Sequence, residues 1–240
     1  MHTAIVDAVT TFGSCPGRDV DWSLDALLSL LDRHGVEKAF SLSLKGIHYD
    51  FEEGNDETLQ ASKRHGVLEP VATIDPRRHL GCADEVRKRV DQGFRLFGFF
   101  PSEQGWPVNF LPFRRLLERL AEHDVRLVLP AAAGVPTLIH DTLAGYEIPT
   151  LLTGAGYSMM AELIAVLQAN PTFYTDLHLL DTHDGVDVLA AQVGVERLVF
   201  GSDVPQRYFE SALGLVTASH VSDAAKRAIL RENALRFLGS

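Results

Sequence analysis

The chain has 240 residues, of which 46% are hydrophobic and 22% are charged, and these proportions exclude a disordered or fibrous chain. Its formal net charge of -10 opposes binding to phosphate backbones and anionic lipid, so nucleic acid is not an expected partner. The length suits one domain over residues 1–240, and a single α/β barrel commonly has this size.

The sequence shows no signal for a membrane or an oxidising compartment. No apolar run approaches the roughly 20 residues that a membrane-spanning helix needs, and the first four residues do not begin a signal segment. Cys15 and Cys82 are too few for a disulfide framework and are interpreted as buried or incidental thiols. We therefore predict a cytoplasmic protein with no membrane partner.

Short apolar, β-branched runs alternate with longer amphipathic segments eight times, which is typical of βα units and a parallel sheet. The first predicted helix, Leu24–Leu31, keeps apolar residues on one face and places Asp25 and Ser29 on the other. The last predicted helix runs over Asp223–Leu238, with Ser222 as its N-cap. The predicted strands are Ala4–Thr10, Lys38–Leu44, Leu68–Asp75, Phe94–Phe100, Arg126–Ala131, Ile148–Gly154, Thr172–Leu179 and Arg197–Asp203.

Eight such units can close into a (β/α)8 barrel or remain an open, doubly wound sheet, and both folds place ligands at the carboxyl ends of the strands. No Gly-x-Gly-x-x-Gly motif follows the first strand, and no Walker-type Gly-Lys-Ser/Thr motif occurs. An open, nucleotide-binding sheet is therefore less favoured than a barrel. We therefore predict the α/β class and a closed, compact TIM barrel with short loops.

Three parts of the sequence resemble the amidohydrolase-related family of metal-dependent TIM-barrel hydrolases. Residues 197–205, Arg-Leu-Val-Phe-Gly-Ser-Asp-Val-Pro, resemble its eighth-strand signature with the closing aspartate, here Asp203. Residues 229–239 are similar to its last helix with an Asn-Ala pair, and residues 54–57 and 72–77 resemble its Asn-Asp helix start and Asp-Pro-Arg strand end. The resemblance covers most of the chain and implies hydrolase or decarboxylase activity.

The resemblance also implies one or two divalent metals, held by His-x-His on strand one, histidines after strands five and six, and the aspartate of strand eight. Such ligands leave a coordination position for a water whose pKa the metal lowers. Only Asp203 remains of this set, so we predict no metal and no other cofactor. The other positions hold Val9 and Thr11, Leu129-Pro130-Ala131, and Thr153 or Gly154.

Strand seven contains the candidate partner of Asp203. Alternation puts Asp176 and His178 on the same side of the strand, with His178 nearer the carboxyl end, where it can approach Asp203. A histidine steered by a carboxylate acts as a general acid or base near neutral pH. The alternative is a hydrogen-bonded barrel histidine without a catalytic role. We predict Asp203 and His178 as the catalytic residues.

Candidate substrate-binding residues lie in the loops after the strands. Lys45 and His48 belong to a polar loop after strand two, which is either a clamp for an anionic substrate or a solvated segment. Thr11 at the end of strand one and Tyr157 before the sixth helix complete the predicted set. The phenylalanine-rich strand four predicts either a filled barrel or an apolar pocket for an aromatic substrate.

These features favour a metal-independent enzyme that uses Asp/His acid–base chemistry on a small anionic or aromatic carbonyl compound. Hydrolysis of a lactone or amide is the first reaction considered, and decarboxylation or a lyase reaction stays open. The alternative is a catalytically inactive barrel that binds a small molecule or a protein partner, and a homo-oligomer stays open as well. A third interpretation is a relocated metal site built from His178, Asp181, His183 and Asp203.

Overall fold

The computed structural model describes residues 4–17, 21–131 and 136–239. Eight parallel strands follow one another around a single sheet in sequence order. Each strand is separated from the next by at least one helix, so the predicted alternation is confirmed. The strands are β1 (Ile5–Phe12), β2 (Val36–Ser43), β3 (Leu68–Thr73), β4 (Leu96–Gly98), β5 (Arg126–Pro130), β6 (Thr150–Thr153), β7 (Phe173–Asp176) and β8 (Leu198–Val199).

The sheet closes through backbone hydrogen bonds between β1 and the segment that follows β8, and we call this contact the β8–β1 seam. Asp203 N donates to Val9 O at 2.9 Å, and Thr11 N donates to Val204 O at 3.1 Å. A bridge between Thr10 and Val204 has the parallel geometry of the other strand pairs. The predicted closed barrel is therefore confirmed over the open sheet.

The carboxylate of Asp7 joins the two sides of the β8–β1 seam. It is fully buried, and its Oδ1 accepts hydrogen bonds from Val9 N at 3.1 Å and Ser202 N at 2.9 Å, while its Oδ2 pairs with Ser202 Oγ. Burial raises the pKa of Asp7 from 3.8 to about 7, because the lost hydration outweighs the hydrogen bonds that favour the charged form. Asp7 thus has a structural role in the closure of the barrel.

The helices cover the outside of the sheet, and within the described ranges none is long and apolar enough to cross a membrane. Short 3-10 turns occupy Pro76–Arg78, Tyr157–Met159 and Val195–Arg197. The α-helices are α1 (Leu24–Arg33), α2 (Leu44–His48), α3 (Phe51–Arg64), α4 (Cys82–Asp91), α5 (Pro101–Gln104), α6 (Leu111–Leu120), α7 (Pro136–Leu143), α8 (Met160–Ala169), α9 (Gly185–Val193), α10 (Phe209–Ala218), α11 (Asp223–Arg227) and α12 (Asn233–Leu238).

Helix α1 has the amphipathic character that its sequence predicts. Leu27 and Leu31 are buried against the sheet, whereas Asp25 and Ser29 are exposed. The N-cap is Ser23, whose Oγ accepts a hydrogen bond from Ala26 N at 3.1 Å and satisfies one of the free amides of the first turn. Burial of the leucine face is therefore what holds this helix on the barrel.

The predicted final helix is helical throughout but contains a π-helical turn. Ser222 caps its start through a hydrogen bond from Ala225 N at 3.2 Å, as predicted, and the π turn occupies Ala228–Glu232 between α11 and α12. Asn233 Nδ2 donates to Val195 O and Leu198 O, each at 2.8 Å. This amide explains the Asn-Ala pair of the sequence, because it fixes the last helix to the start of β8.

Several strands end earlier than predicted. The predicted strand Thr172–Leu179 ends at Asp176, and the predicted strand Arg197–Asp203 pairs regularly with β7 only at Leu198 and Val199. The backbone leaves the sheet after these points to form the rim, and Asp203, with φ of +59°, has a left-handed conformation that a strand does not accommodate. The predicted bounds are thus wrong at the carboxyl ends, which is where the cavity forms.

Apolar side chains from the inward face of the strands fill the interior. Phe40 lies within this inner core, with its ring centroid 6.4 Å from that of Phe237 in α12. Arg126, the first residue of β5, donates from Nε to Phe237 O at 2.9 Å. Helix α12 therefore covers the amino-terminal end of the barrel, and the carboxyl ends of the strands face the opposite side.

Candidate active site

A cavity of about 420 Å³ lies at the carboxyl ends of the strands. Most of its wall is apolar, and Phe100 contributes an aromatic ring. Phe97 and Phe99 are buried in the outer core between sheet and helices, so the phenylalanines near β4 divide between core and cavity. The ionisable side chains of the wall are Cys15, His48, Glu103, His178, Asp203 and Arg207.

Asp203 stands at the β8–β1 seam with its side chain on the cavity wall. Its side chain is 19% exposed, and its backbone has a left-handed φ of +59°. This conformation is uncommon for residues other than glycine, although aspartate and asparagine adopt it more readily than most. Sparsely populated backbone conformations of this kind concentrate at functional sites. The structure therefore places the predicted carboxylate at the cavity in a fixed orientation.

His178 lies next to Asp203, as the sequence predicts. Its side chain is 6% exposed, and its Nε2 is 3.7 Å from Asp203 Oδ2. The other ring nitrogen, Nδ1, pairs with Asp176 Oδ2, and Asp176 Oδ1 accepts a hydrogen bond from Gly154 N at 2.7 Å. Asp176 thus fixes the imidazole and leaves Nε2 available to the cavity.

Two polar residues of this arrangement were not among the predicted site residues. Strand alternation predicts that Asp176 lies on the same side of strand seven as His178, but it does not predict the direct contact between Asp176 and the His178 ring. Arg207 was not predicted at all, although it follows Asp203 by four residues, and its Nε is 3.3 Å from Asp203 Oδ2. A carboxylate at a strand end with an arginine four residues later was the signal available in the sequence.

The electrostatic environment shifts the pKa values of both predicted catalytic residues. Burial raises the pKa of the Asp203 carboxyl above its ordinary value, and this effect exceeds the opposing influence of His178 and Arg207. For His178, burial lowers the pKa, but the charges of Asp176 and Asp203 raise it by more. The pair therefore combines a carboxylate that is easier to protonate with an imidazole that retains its proton to higher pH.

We expect the imidazole of His178 to titrate with a midpoint above 6.5 in an NMR pH titration of the folded protein. Asp176→Asn should lower that midpoint, because it removes the partner charge on Nδ1 while the burial of the ring remains. Asp184→Asn, which changes a carboxylate outside the cavity, is the matched control and should leave the midpoint of His178 unchanged. An unchanged midpoint in Asp176→Asn would contradict the orientation of the ring described above.

The four predicted substrate-binding residues divide into two groups. Thr11 and His48 line the cavity. Lys45 does not, because its Nζ pairs with Glu53 Oε2 at 2.6 Å on the outer side of α2 and α3. Tyr157 is 63% exposed and also lies outside the cavity wall. Only Thr11 and His48 are therefore retained in the candidate site.

Comparison with known sequences assigns the family. The sequence profile of the amidohydrolase family matches residues 21–240. The chain belongs to the amidohydrolase family. No curated protein matches it by sequence.

Crystal structures of other proteins share this barrel fold at low sequence identity. A candidate 2-pyrone-4,6-dicarboxylic acid hydrolase from Pseudomonas putida is 20% identical, with a TM-score of 0.76 over 100% of this chain and 98% of that one. A 2,6-dihydroxybenzoate decarboxylase from Rhizobium is 14% identical, with a TM-score of 0.76 over 99% of each chain. A dihydroxybenzoic acid decarboxylase from Polaromonas, with bound manganese and 2-nitroresorcinol, is 14% identical, with a TM-score of 0.75 over 99% of this chain and 97% of that one. At these identities the likeness shows the fold.

The residues at the metal positions of the amidohydrolase family do not fit a divalent metal in this chain. Where the resemblance implies histidines, the cavity is lined by side chains without an imidazole, and no two further donors among the described residues lie close enough to share an ion with Asp203. Across the described residues, one group of three donors lies close enough to share an ion, and it does not line the cavity. The cavity-lining replacements are Val9, Thr11, Pro130, Thr153 and Gly154, and the outer group is Asp184, Asp187 and His220.

The hypothesis of a relocated metal site gains no support from the geometry. His183 is exposed, and its Nε2 pairs with Asp184 Oδ1 at 3.3 Å. Within residues 4–17, 21–131 and 136–239, no three of the side chains proposed for that site meet closely enough to share one ion. These side chains are His178, Asp181, His183 and Asp203.

Proposed function

We propose that this chain is a metal-independent enzyme of the amidohydrolase family that hydrolyses a small lactone or amide. The observation that carries the proposal is the pairing of His178 Nε2 and Asp203 Oδ2, 3.7 Å apart on the wall of a largely apolar cavity. A single water or hydroxyl oxygen can hydrogen-bond to both atoms at once. The pair therefore suits proton transfer to and from one reacting oxygen.

In this proposal Asp203 acts as the base and His178 acts as the acid. The water oxygen attacks the substrate carbonyl carbon while its proton passes to Asp203, and the C–O or C–N bond then breaks as His178 protonates the leaving group. Transfer of the proton from Asp203 to His178 restores the starting state. Asp176 keeps the imidazole in position throughout, since it holds Nδ1.

The cavity indicates the size and character of the substrate. A volume of about 420 Å³ suits one small ring compound, and the apolar wall favours a hydrocarbon or aromatic skeleton. Arg207 on the cavity wall offers a cation to an anionic group of the substrate, although it also pairs with Asp203. We propose that the substrate is a small carbonyl compound with at most one anionic group.

Decarboxylation is the second candidate reaction. An apolar wall removes water from a bound carboxylate and so favours its loss as carbon dioxide. His178 would then donate its proton to the carbon that carried the carboxylate. The names of the structurally similar decarboxylases from Rhizobium and Polaromonas are consistent with this chemistry in the same fold.

Metal analysis and ligand screening of the purified protein test the proposal together. We expect substoichiometric zinc, manganese and iron by elemental analysis, and turnover that persists after treatment with a chelator. Thermal-shift screening against lactones, amides and aromatic carboxylates should identify ligands that raise the melting temperature, and product analysis then separates an enzyme from an inactive binding protein. Stoichiometric metal whose removal abolishes turnover would overturn metal independence, and stable binding of every ligand without product would favour the binding protein.

A further inference from the structure

Cys15 and His48 form a second group of reactive side chains on the wall of the same cavity. Cys15 lies just after β1 and His48 ends α2, and Cys15 Sγ is 4.0 Å from His48 Nε2. Glu103 of α5 lines the cavity too, and its charge acts on His48. These residues have no role in the proton transfers assigned to His178 and Asp203.

The environment of His48 suits it to accept the proton of the Cys15 thiol. Burial lowers the pKa of His48, with the charge of Glu103 opposing the effect, so the imidazole is neutral near pH 7. A thiol that can pass its proton to an adjacent imidazole becomes a nucleophile. Cys82 differs, because it is 2% exposed and burial raises its pKa to about 11.

A buried hydroxyl in the same cavity indicates that this wall receives a ligand. Thr11 lines the cavity and is 7% exposed, and its Oγ1 has no hydrogen-bond partner among the described residues. Leaving a buried polar group unpaired is unfavourable, so the hydroxyl is a donor that a ligand oxygen can satisfy. A carbonyl oxygen supplies such an acceptor, while the apolar wall accommodates its carbon skeleton.

We propose that Cys15 captures small, apolar α,β-unsaturated carbonyl compounds by conjugate addition inside the cavity. Cys15 Sγ forms a bond to the β-carbon, and the electron pair of the C=C bond moves to give an enolate whose oxygen accepts a hydrogen bond from Thr11 Oγ1. The proton that His48 takes from the thiol then passes to the α-carbon. One S–H bond and one π bond are replaced by one C–S bond and one C–H bond, so no further reactant is needed.

This capture is separate from the proposed hydrolysis, because an adduct forms on Cys15 without turnover by His178 and Asp203. The two proposals therefore fail independently. If no adduct forms, the proposed hydrolysis is not contradicted. If no hydrolysis is found, the adduct can still be observed.

Incubation with 2-cyclohexen-1-one followed by intact-mass and peptide mass spectrometry tests the proposal. We expect a single adduct on Cys15 in the wild type and in the matched control Cys82→Ser, and none in Cys15→Ser. The rate should saturate with the concentration of the probe, since the reaction follows binding in the cavity. His48→Gln should slow the reaction at least tenfold. As a control, the denatured variant should react at the same rate as the denatured wild type.

A second measurement keeps the test decisive if His48→Gln does not fold. Cyclohexanone, which has nearly the same size but lacks the C=C bond that conjugate addition requires, should slow the adduct formation of the wild type by competition. The proposal is overturned if cyclohexanone has no effect, or if Cys15 reacts no faster than N-acetylcysteine. It is also overturned if a folded His48→Gln variant reacts at the wild-type rate.

Discussion

Asp203→Asn is expected to lower kcat by about 10²–10⁴-fold, because the amide cannot accept the proton that the carboxylate takes. Asparagine tolerates the left-handed backbone of this position, so the substitution removes the base without forcing the loop to rearrange. The measurement is kcat on a substrate found by ligand screening, together with the melting temperature and the affinity for a non-reacting analogue. Both of the latter should stay close to the wild-type values.

The chain offers a closely matched control for this substitution. Asp184 has a φ of +58°, against +59° for Asp203, but it does not line the cavity. Asp184→Asn therefore makes the same chemical change in the same backbone conformation, and we expect it to leave kcat unchanged. A kcat for Asp203→Asn within threefold of the wild type would remove Asp203 from the proposed mechanism.

Asp7→Asn is expected to raise the free energy of unfolding above pH 7 and to flatten its dependence on pH between about 4 and 7. The pKa of Asp7 is about 7 in the folded protein against 3.8 for the ordinary carboxyl, so the folded state holds the proton over this window while the unfolded state has lost it. Wild-type stability therefore falls as the pH rises from about 4 to 7. The expected gain in the variant at pH 8 is on the order of 2–4 kcal/mol.

The hydrogen bonds of Asp7 explain why asparagine suits this position. The amide oxygen can accept from Val9 N and Ser202 N as Oδ1 does now, and the amide nitrogen can donate to Ser202 Oγ. Chemical denaturation at a series of pH values measures the effect, with the exposed Asp25→Asn in α1 as the control. If the free energy of unfolding of Asp7→Asn depends on pH between 4 and 7 as steeply as that of the wild type, burial of the Asp7 charge does not cause the pH dependence.

The periodicity of the chain was sufficient to predict eight βα units, because each strand is a short apolar run beside an amphipathic helix, whereas the choice of a closed barrel also depended on the absence of nucleotide-binding motifs. The ends of the strands were less predictable. Residues 177–179 and 200–203 continue the apolar or small-residue pattern of their strands but lie beyond them, since a left-handed residue and side-chain hydrogen bonds determine where the chain leaves the sheet. Local composition does not encode those long-range contacts.

The candidate site was predictable where strand alternation or a motif fixes the direction of a side chain. This applies to His178 and Asp203, which follow the ends of β7 and β8 and meet as predicted. It does not apply to Lys45, because the short helix α2 turns its side chain toward Glu53 instead of the cavity. The contact of Arg207 with Asp203 likewise depends on the path of the loop after β8, which the four-residue spacing in the sequence suggests but does not determine.

The β8–β1 seam would link the proposed turnover to the integrity of the whole barrel. Asp203 donates its amide proton to Val9 O, so the residue that supplies the carboxylate also forms one of the bonds that complete the ring of strands. Opening of the sheet at this seam would carry the carboxylate away from His178 and disrupt the whole ring of strands in the same event. Activity should therefore vanish in one cooperative step with the fold, and the amide of Asp203 should exchange with deuterium only through that global opening.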